Sequence, residues 1–364
     1  MIPLTPDRKA FVSSKFILLA IAVLCCVAPL AAQTPSFTSF DAPDAGHGVI
    51  QGTVPWAINQ GGVIAGYYID LSNLVHGFVR TSTGVITEFN ATGLSSTYVS
   101  GINRIGQIVG NGAHPAGHTN YVHGFLRNPN GNFVHIDPAG PNGSSNTAFL
   151  SINDSGEIAG TYVDVAGGAV HGFLRSPGGV YTVVDEPNAV TNESGQGTFV
   201  TSINTSGEVT GYYNDKNTFT INGFTRDASG NFLLFSAPGA GNNFGAGTFA
   251  SAVNTSGQVT GDFLDNNFVS HPYLQSSTGI MTTFSITAAT QTYALSLNDG
   301  GTVLGQYTDS NSLQHGFLFT QPATFVFFSV PFPNTGSYPD SINDAGHITG
   351  YYYDLSGAVH GFVK

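Results

Sequence analysis

The sequence is poor in charged residues, and poorest in basic ones. Asp, Glu, Lys and Arg make up 9% of the 364 residues, and 22 acidic against 10 basic residues give a formal net charge of −12. Nucleic-acid binding depends on a basic footprint, so a chain of the opposite sign is not expected to bind nucleic acid. Aromatic and β-branched residues are plentiful, which argues against disorder, and the 47 glycines favour an all-β chain with many turns.

Long hydrophobic runs are absent except near the N-terminus. There, a basic-leaning segment that includes Arg8 and Lys9 precedes an apolar run over Phe16–Val27, and small residues follow up to Ala32. This order predicts a secretory signal peptide over residues 1–32. The alternative is a membrane anchor, but the run is short against the ~20 residues that a span needs.

Cysteine is equally scarce, because Cys25 and Cys26 are the only two and both lie in the predicted signal. Cleavage would leave residues 33–364 as one domain without disulfides, large enough to bury a sizeable core. It would also remove three of the 10 basic and one of the 22 acidic residues, leaving a net charge near −14. We expect a secreted monomer, extracellular or periplasmic, that is not inserted in a membrane.

Internal repeats dominate the rest of the chain. An aliphatic residue followed by Asn recurs every 44 to 51 residues, and Gly always follows that Asn after three positions. The asparagines are Asn59, Asn103, Asn153, Asn204, Asn254, Asn298 and Asn343. Asn and Gly in such a turn cap the backbone and permit a positive φ, respectively.

Each repeat has the same internal order. A strand precedes the Asn-x-x-Gly turn, a second strand ends near an Asp, a third carries His-Gly-Phe or a variant, and a fourth follows a glycine turn. Four short strands in this period predict a seven-bladed β-propeller of four-stranded antiparallel blades. The last repeat lacks its fourth strand, and Phe37–Asp41 has the matching sequence, so this segment is predicted to complete the last blade and close the ring.

Residue size along the first strand supports this arrangement. The residue before each aliphatic-Asn pair is always small, as expected where blades converge towards an axis. These residues are Ala57, Gly101, Ser151, Ser202, Ala252, Ser296 and Ser341. Aromatic residues nearer the start of the strand would fill a wider space. They are Tyr98, Phe199, Phe249, Tyr293 and Tyr338.

The recurring Ile-Asn-x-x-Gly-x-Ile-x-Gly and His-Gly-Phe-Leu segments resemble the HAF-repeat family of predicted extracellular bacterial proteins. The resemblance extends over residues 37–364. It implies an extracellular location and a repeat fold, and it carries no assigned activity.

Asp–His pairs recur at a spacing of six or seven residues, which sets the two side chains across a β-hairpin. They are Asp70–His76, Asp164–His171, Asp265–His271, Asp309–His315 and Asp354–His360. The favoured interpretation is a structural hydrogen bond in each hairpin. A small ligand or metal site in each blade is the alternative. One metal shared between blades does not fit the ~2 Å length of a zinc–imidazole bond, and we expect no metal and no cofactor.

Departures from the repeat are the better guide to a single binding site, because structural positions must recur in every blade. The candidate ligand-binding residues are Trp56, His114, His118, Tyr121, Glu186, Asn192 and Glu193. Long, variable connections between strands carry all of these except Trp56, which lies on a first strand. No nucleophile elbow, phosphate loop or zinc-protease motif occurs, so no catalytic residue is assigned.

These observations favour a non-enzymatic binding or structural module that engages an extracellular glycan or another cell-surface component. Asn, Tyr, Asp and His in the loops can hydrogen-bond to sugar hydroxyls, and aromatic side chains can stack on sugar rings. The alternative is a polysaccharide-acting hydrolase or lyase on the long-loop face, with Glu186 and Glu193 as its carboxylate pair.

Overall fold

Four successive strand positions recur along the chain and account for all of its regular structure. The computed structural model describes residues 36–113, 122–138, 144–165, 168–287 and 289–364, and within these ranges every helix or strand element is a strand. The first strands are β2 (Gly52–Ile58), β6 (Tyr98–Ile102), β10 (Ser144–Ile152), β14 (Thr198–Ile203), β18 (Gly247–Val253), β22 (Gln291–Leu297) and β26 (Ser337–Ile342). The second strands are β3 (Ile64–Ile69), β7 (Ile108–Ala113), β11 (Ile158–Asp164), β15 (Val209–Asn214), β19 (Val259–Leu264), β23 (Val303–Thr308) and β27 (Ile348–Tyr353).

The outer two positions of each repeat hold the third strand and a short fourth strand of three to five residues. The third strands are β4 (Val75–Arg80), β8 (Val122–Arg127), β12 (Val170–Arg175), β16 (Ile221–Arg226), β20 (Ser270–Gln275), β24 (Gln314–Thr320) and β28 (Val359–Val363). The fourth strands are β5 (Ile86–Phe89), β9 (Phe133–Ile136), β13 (Tyr181–Val184), β17 (Phe232–Phe235), β21 (Met281–Thr283), β25 (Thr324–Phe328) and β1 (Thr38–Phe40). The all-β prediction is confirmed.

Neighbouring strands of a repeat pair in antiparallel register, first to second, second to third and third to fourth. The N-terminal strand β1 takes the fourth position of the last repeat, because it pairs with β28 through Thr38–Val363 and Phe40–Gly361. Single parallel contacts join repeats, as at Gly52–Val359 and Ile221–Gly247. Strand β1 and the last three strands of the chain therefore belong to one four-stranded set.

The seven turn asparagines each satisfy two sets of backbone groups. In every turn, Oδ1 accepts the N–H four residues further on, as Asn59 does from Val63 at 3.0 Å. The Nδ2 group donates to the main-chain carbonyl of the asparagine in the next repeat at 2.9–3.3 Å. Asn343 donates to Asn59, so the series of seven hydrogen bonds returns to its first member. We call this series the asparagine cycle.

The core lies between the sheets of successive repeats. One buried cluster, for example, packs Ala159 of the third repeat against Val200, Val209 and Phe224 of the fourth. The Phe of His-Gly-Phe is almost fully buried wherever it occurs, and burying one such ring contributes roughly 1.5–3 kcal/mol. The preceding Gly is required because a Cβ there would collide with the fourth strand, as that of Gly77 would with the Phe89 ring.

Residues Phe37 to Lys364 form one compact unit. Among the residues that the structure describes, no helix has the length and apolarity needed to cross a membrane. The predicted signal peptide, residues 1–32, lies outside the described residues and remains a prediction.

Candidate functional site

A bulge occurs at the same place in every first strand. In β2, Pro55 pairs with Gly66 and Ala57 pairs with Ala65, so Trp56 is the extra residue between them. Equivalent register shifts fall at Ser100, Thr201, Ser251, Leu295 and Asp340, and in β10 between Ala148 and Ser151. A bulge re-aims the extra side chain out of the regular alternation of a strand. Period-two analysis of the sequence does not detect it.

Residues at six of the seven bulges meet at a cavity of about 780 Å³, here called the aromatic cavity. Six repeats contribute to it through Trp56, Ser100, Leu150, Thr201, Ser251 and Leu295. Aromatic rings from the first and second strands complete the wall, namely Tyr67, Tyr98, Tyr212 and Phe249. The candidate residue Trp56 therefore lies on a cavity, with 41% of its surface exposed.

The rings of the aromatic cavity contact one another in two groups. Tyr67 lies 5.1 Å from Tyr98 and 6.3 Å from Trp56, centroid to centroid. Tyr212 lies 5.0 Å from Phe249 in an edge-to-face contact. Burial raises the pKa of Tyr67 and of Tyr212 to about 12, so both phenols stay neutral at physiological pH.

Two acidic residues stand at register positions where other repeats place cavity-lining residues. Asp262 directly follows Gly261 of β19, at the position that Tyr67 occupies in β3 and Tyr212 in β15. Asp340 is the bulge residue of β26, at the position that Trp56 occupies in β2. Burial raises the pKa of Asp262 to about 8 against hydrogen bonds from the Ala294 N–H. Sequence analysis missed both residues, although their departure from the repeat was visible.

Burial also raises the pKa of Asp340 well above the usual value for an aspartate. Its Oδ2 is shielded from solvent and has no hydrogen-bond partner. A shielded polar atom without a hydrogen-bond partner is costly, so it needs an explanation.

A second type of cavity, here called the hairpin groove, occurs at equivalent positions of two repeats. In the first repeat it measures about 640 Å³ and is lined by Tyr68, Asp70, His76, Phe89 and Asn90, with Asp44, His47 and Glu88 beside them. In the fourth repeat it measures about 430 Å³ and is lined at the matching positions by Tyr213, Asp215, Asn222, Phe235 and Ser236.

The five predicted Asp–His pairs lie across their hairpins at short range. The Nε2–Oδ2 distances are 3.3 Å for His76–Asp70, 3.7 Å for His171–Asp164, 3.3 Å for His271–Asp265, 3.2 Å for His315–Asp309 and 3.4 Å for His360–Asp354. Each ring also stacks on an aromatic residue of the second strand, as His171 does on Tyr162 with centroids 5.1 Å apart. These contacts hold each imidazole between the hairpin aspartate and an aromatic ring.

The fourth strand supplies further partners that the sequence analysis did not identify. The Nδ1 atom of His171 lies 2.7 Å from Asp185, and that of His360 lies 2.8 Å from Asp41. The hydrogen bond to Asp185 raises the pKa of His171, against the opposing effect of burial. No group of three or more His, Cys, Asp or Glu residues in the described part of the chain is arranged to hold a metal ion.

The remaining candidate residues do not form one site. His114, His118 and Tyr121 lie outside the described residues. Glu186 is only 3% exposed, and its carboxylate accepts hydrogen bonds from the backbone N–H and the side chain of Asn188. Burial raises the pKa of Glu186 while these hydrogen bonds lower it. Its assignment to a ligand surface does not fit this burial, because the carboxylate is already used to hold its own loop.

The neighbouring loop residues are more accessible. Asn192 and Glu193 are exposed, and Glu193 accepts a hydrogen bond of 2.7 Å from Gln196. Neither of them lines the aromatic cavity or a hairpin groove as these are described above.

Similarity to proteins of known structure is confined to the fold. Virginiamycin B lyase from Staphylococcus aureus, solved with quinupristin, is 12% identical over 90% of this chain and all of its own, with a TM-score of 0.57. A puromycin hydrolase is 10% identical over 88% of this chain and 55% of its own, with a TM-score of 0.52. A Burkholderia pseudomallei lectin is 13% identical over 74% of this chain and 83% of its own, with a TM-score of 0.48.

No protein-family model and no curated protein matches the sequence. The structural neighbours are β-propeller-type proteins, so the fold of this chain is of that type.

Proposed function

We propose that the seven repeats form a closed seven-bladed β-propeller, exported after removal of residues 1–32 and related to the HAF-repeat family. The asparagine cycle and the pairing of β1 with β28 support closure. A further hydrogen bond, from Ile58 N to Ser341 Oγ at 3.3 Å, joins the first and last repeats.

A circular permutant tests closure. The new chain begins at Gly48, runs to Lys364, and continues through a four-residue turn into residues 36–47, so that β28 and β1 become an ordinary hairpin. A closed ring predicts a folded permutant with an unchanged circular dichroism spectrum. A permutant that does not fold, beside a wild type that does, would contradict closure.

Within that fold, we propose a non-enzymatic module that binds extracellular glycans at the hairpin grooves. The observation that carries this proposal is the recurrence of the groove in the first and fourth repeats, with matching residues at matching positions. A catalytic site needs one constellation only, whereas a multivalent binder repeats its site along the repeats. This recurrence favours binding over catalysis.

The chemistry of the groove suits sugar hydroxyls. Its first-repeat copy presents carboxylates, an amide and an imidazole around the Tyr68 ring, which stacks on His76 with centroids 4.9 Å apart. The backbone N–H of Leu74 is the first of several hydrogen bonds that lower the pKa of Asp70, so this carboxylate is an ionised acceptor. Hydrogen-bonding groups placed around an aromatic wall are the usual means of fixing a polar ligand in a pocket.

A glycan array probed with residues 33–364 tests the proposal. Asn90→Met and Ser236→Met place a long apolar side chain at equivalent positions of the two grooves. Each single substitution should lower avidity on a dense array by about tenfold or more, and the double substitution should abolish binding. Thr87→Met, at an exposed position of β5, is the matched control and should bind as the wild type does.

Two results would contradict this function. The first is the absence of binding to any glycan by folded protein. The second is the release of new reducing or unsaturated ends from a bound polysaccharide, which would make the protein a hydrolase or lyase.

A further inference from the structure

The aromatic cavity has aromatic rings in its wall, and the equivalent bulge position on a neighbouring first strand holds an acid. None of the described residues that line the cavity is a lysine, an arginine or a histidine. Asp340, the bulge residue of β26, has no hydrogen-bond partner for its shielded Oδ2. The described walls of the cavity therefore supply no positive charge of their own, and Asp340 has an oxygen that no hydrogen bond satisfies.

Geometry connects Asp340 to the wall of the cavity. Trp56 and Asp340 are equivalent bulge residues on the neighbouring first strands β2 and β26. Just beyond these two residues, the hydrogen bond from Ile58 N to Ser341 Oγ joins the two strands. The negative charge of Asp340 acts on the Tyr67 phenol, after burial the largest influence on its pKa. Tyr67 itself lines the cavity.

Three tyrosine rings contact one another on the sheet that carries Asp340. Tyr338 stacks on Tyr351 with centroids 5.0 Å apart, and Tyr353 makes edge-to-face contacts with both rings at 5.4 and 5.8 Å. After burial, the charge of Asp340 is the largest influence that raises the pKa of Tyr351. Rings that feel the charge of Asp340 therefore belong to β27 of the last repeat as well as to β3 of the first.

We propose that the aromatic cavity and Asp340 together bind an alkylammonium cation. The faces of Trp and Tyr rings carry negative electrostatic potential and attract cations within about 6 Å, most strongly in the absence of water. A carboxylate within a ring cluster adds a charge that a cation neutralises and an anion does not. A volume of about 780 Å³ accommodates a small organic cation with a substituent.

Other ligand classes fit these residues less well. An anion would find no basic residue among the described lining of the cavity, and it would oppose the ionisation of Asp340. A purely apolar ligand would leave Oδ2 without a partner, which is the costly condition that a bound cation removes. The cavity is also separate from the hairpin grooves, so this proposal and glycan binding can fail independently.

Choline and its neutral isostere 3,3-dimethylbutan-1-ol provide the test, because they have the same shape and differ in charge. Trp56 is the only tryptophan of the chain and lines the cavity, so its fluorescence reports occupancy directly. Isothermal titration calorimetry on the same samples gives the dissociation constants. We expect choline to shift the Trp56 emission and to bind at least tenfold more tightly than the isostere.

Asp340→Asn keeps the size of the side chain and removes the charge, and it should weaken choline binding at least tenfold. Asp227→Asn removes one charge from an exposed turn and should leave binding unchanged. Trp56→Leu tests the ring wall by calorimetry and should also weaken choline, more than it weakens the isostere.

The pH dependence provides a further readout. Asp340 must lose its proton when a cation binds, because burial raises its pKa, so choline affinity should increase as the pH rises through that pKa. The groups around it are the phenols of Tyr67, Tyr338, Tyr351 and Tyr353, and burial raises the pKa of the first three. Asp340→Asn should abolish this dependence. Equal binding of choline and its isostere, no binding of choline, or a folded Asp340→Asn that binds choline as the wild type does would overturn the proposal.

Discussion

Asn343 Nδ2 donates to the main-chain carbonyl of Asn59 at 3.0 Å, although 284 residues separate the two in the chain. The equivalent bond from Asn204 to the carbonyl of Asn254 spans 50 residues at 2.9 Å. The two donor residues, Asn343 and Asn204, are almost completely buried. The contact between the last and first repeats thus has the same geometry as a contact between consecutive repeats.

Replacing either asparagine should therefore have the same cost. Asn343→Ala and Asn204→Ala each remove a buried donor and the cap of a turn, and each should lower the free energy of unfolding by about 1–3 kcal/mol in urea titrations. Asn217→Ala, at an exposed loop position, should change it by less than about 0.5 kcal/mol. A near-neutral Asn343→Ala beside a costly Asn204→Ala would show that the ring is open in solution.

Gly247 should tolerate no side chain, because it forms the parallel contact with Ile221 at a φ of 136°. A Cβ would collide with the carbonyl oxygen of Ile221. Gly247→Ala should cost about 3 kcal/mol or more in thermal or urea unfolding. Gly245→Ala, with a φ of 81° and no atom within 4 Å of the added carbon, should cost only about 1 kcal/mol. Equal costs for the two variants would rule out the close approach at Gly247.

Asp262 should make the protein less stable as the pH rises. Because burial raises its pKa to about 8, the folded protein holds a proton between pH 4 and 8 that the unfolded chain has lost. The free energy of unfolding should fall by up to about 1.4 kcal/mol per pH unit over this interval. Asp262→Asn keeps an acceptor for the Ala294 N–H and should remove this part of the slope, whereas Glu193→Gln should retain it. An unchanged slope in Asp262→Asn would refute the assignment.

His171 should also contribute stability in its protonated form, through a hydrogen bond to a carboxylate. The hydrogen bond to Asp185 raises its pKa, so its contribution is complete below about pH 6.5 and is lost as the pH rises through the higher value in the folded state. His171→Asn, which copies Asn222 of the fourth repeat, should cost about 1–3 kcal/mol at pH 5.5 and less at pH 8.5. Asp185→Asn should remove the same pH dependence, and a cost independent of pH would contradict an ionic role for the pair.

Much of the fold could be predicted because turn residues recur at the same positions of every repeat and mark where its strands end. The Asn-x-x-Gly turn marks the end of each first strand, and the composition of Phe37–Asp41 identified its place beside β28. The bulges could not be predicted, because an extra residue leaves no mark in a short strand whose alternation is already irregular. The aromatic cavity depends on those bulges, and so it was missed apart from Trp56.

Individual site residues illustrate the same limit. Glu186 was assigned to a ligand surface because it lies in a long, variable connection between strands, whereas Asn188 and the fold of the loop bury it. Asp262 and Asp340 were passed over because single acids inside strands have no motif around them. Their significance depends on burial, which arises from contacts between repeats that are distant in sequence.

The bulge position in each repeat accepts side chains of different size and polarity, whereas the two positions after it do not. The residue after it is always small and the next is always aliphatic, yet the bulge positions hold residues as different as Trp56, Thr201, Leu295 and Asp340. Substitution of one bulge residue per repeat, by evolution or by design, can therefore change which chemical groups line the cavity. The scaffold that presents these residues would keep its sequence and its stability while its specificity diverges.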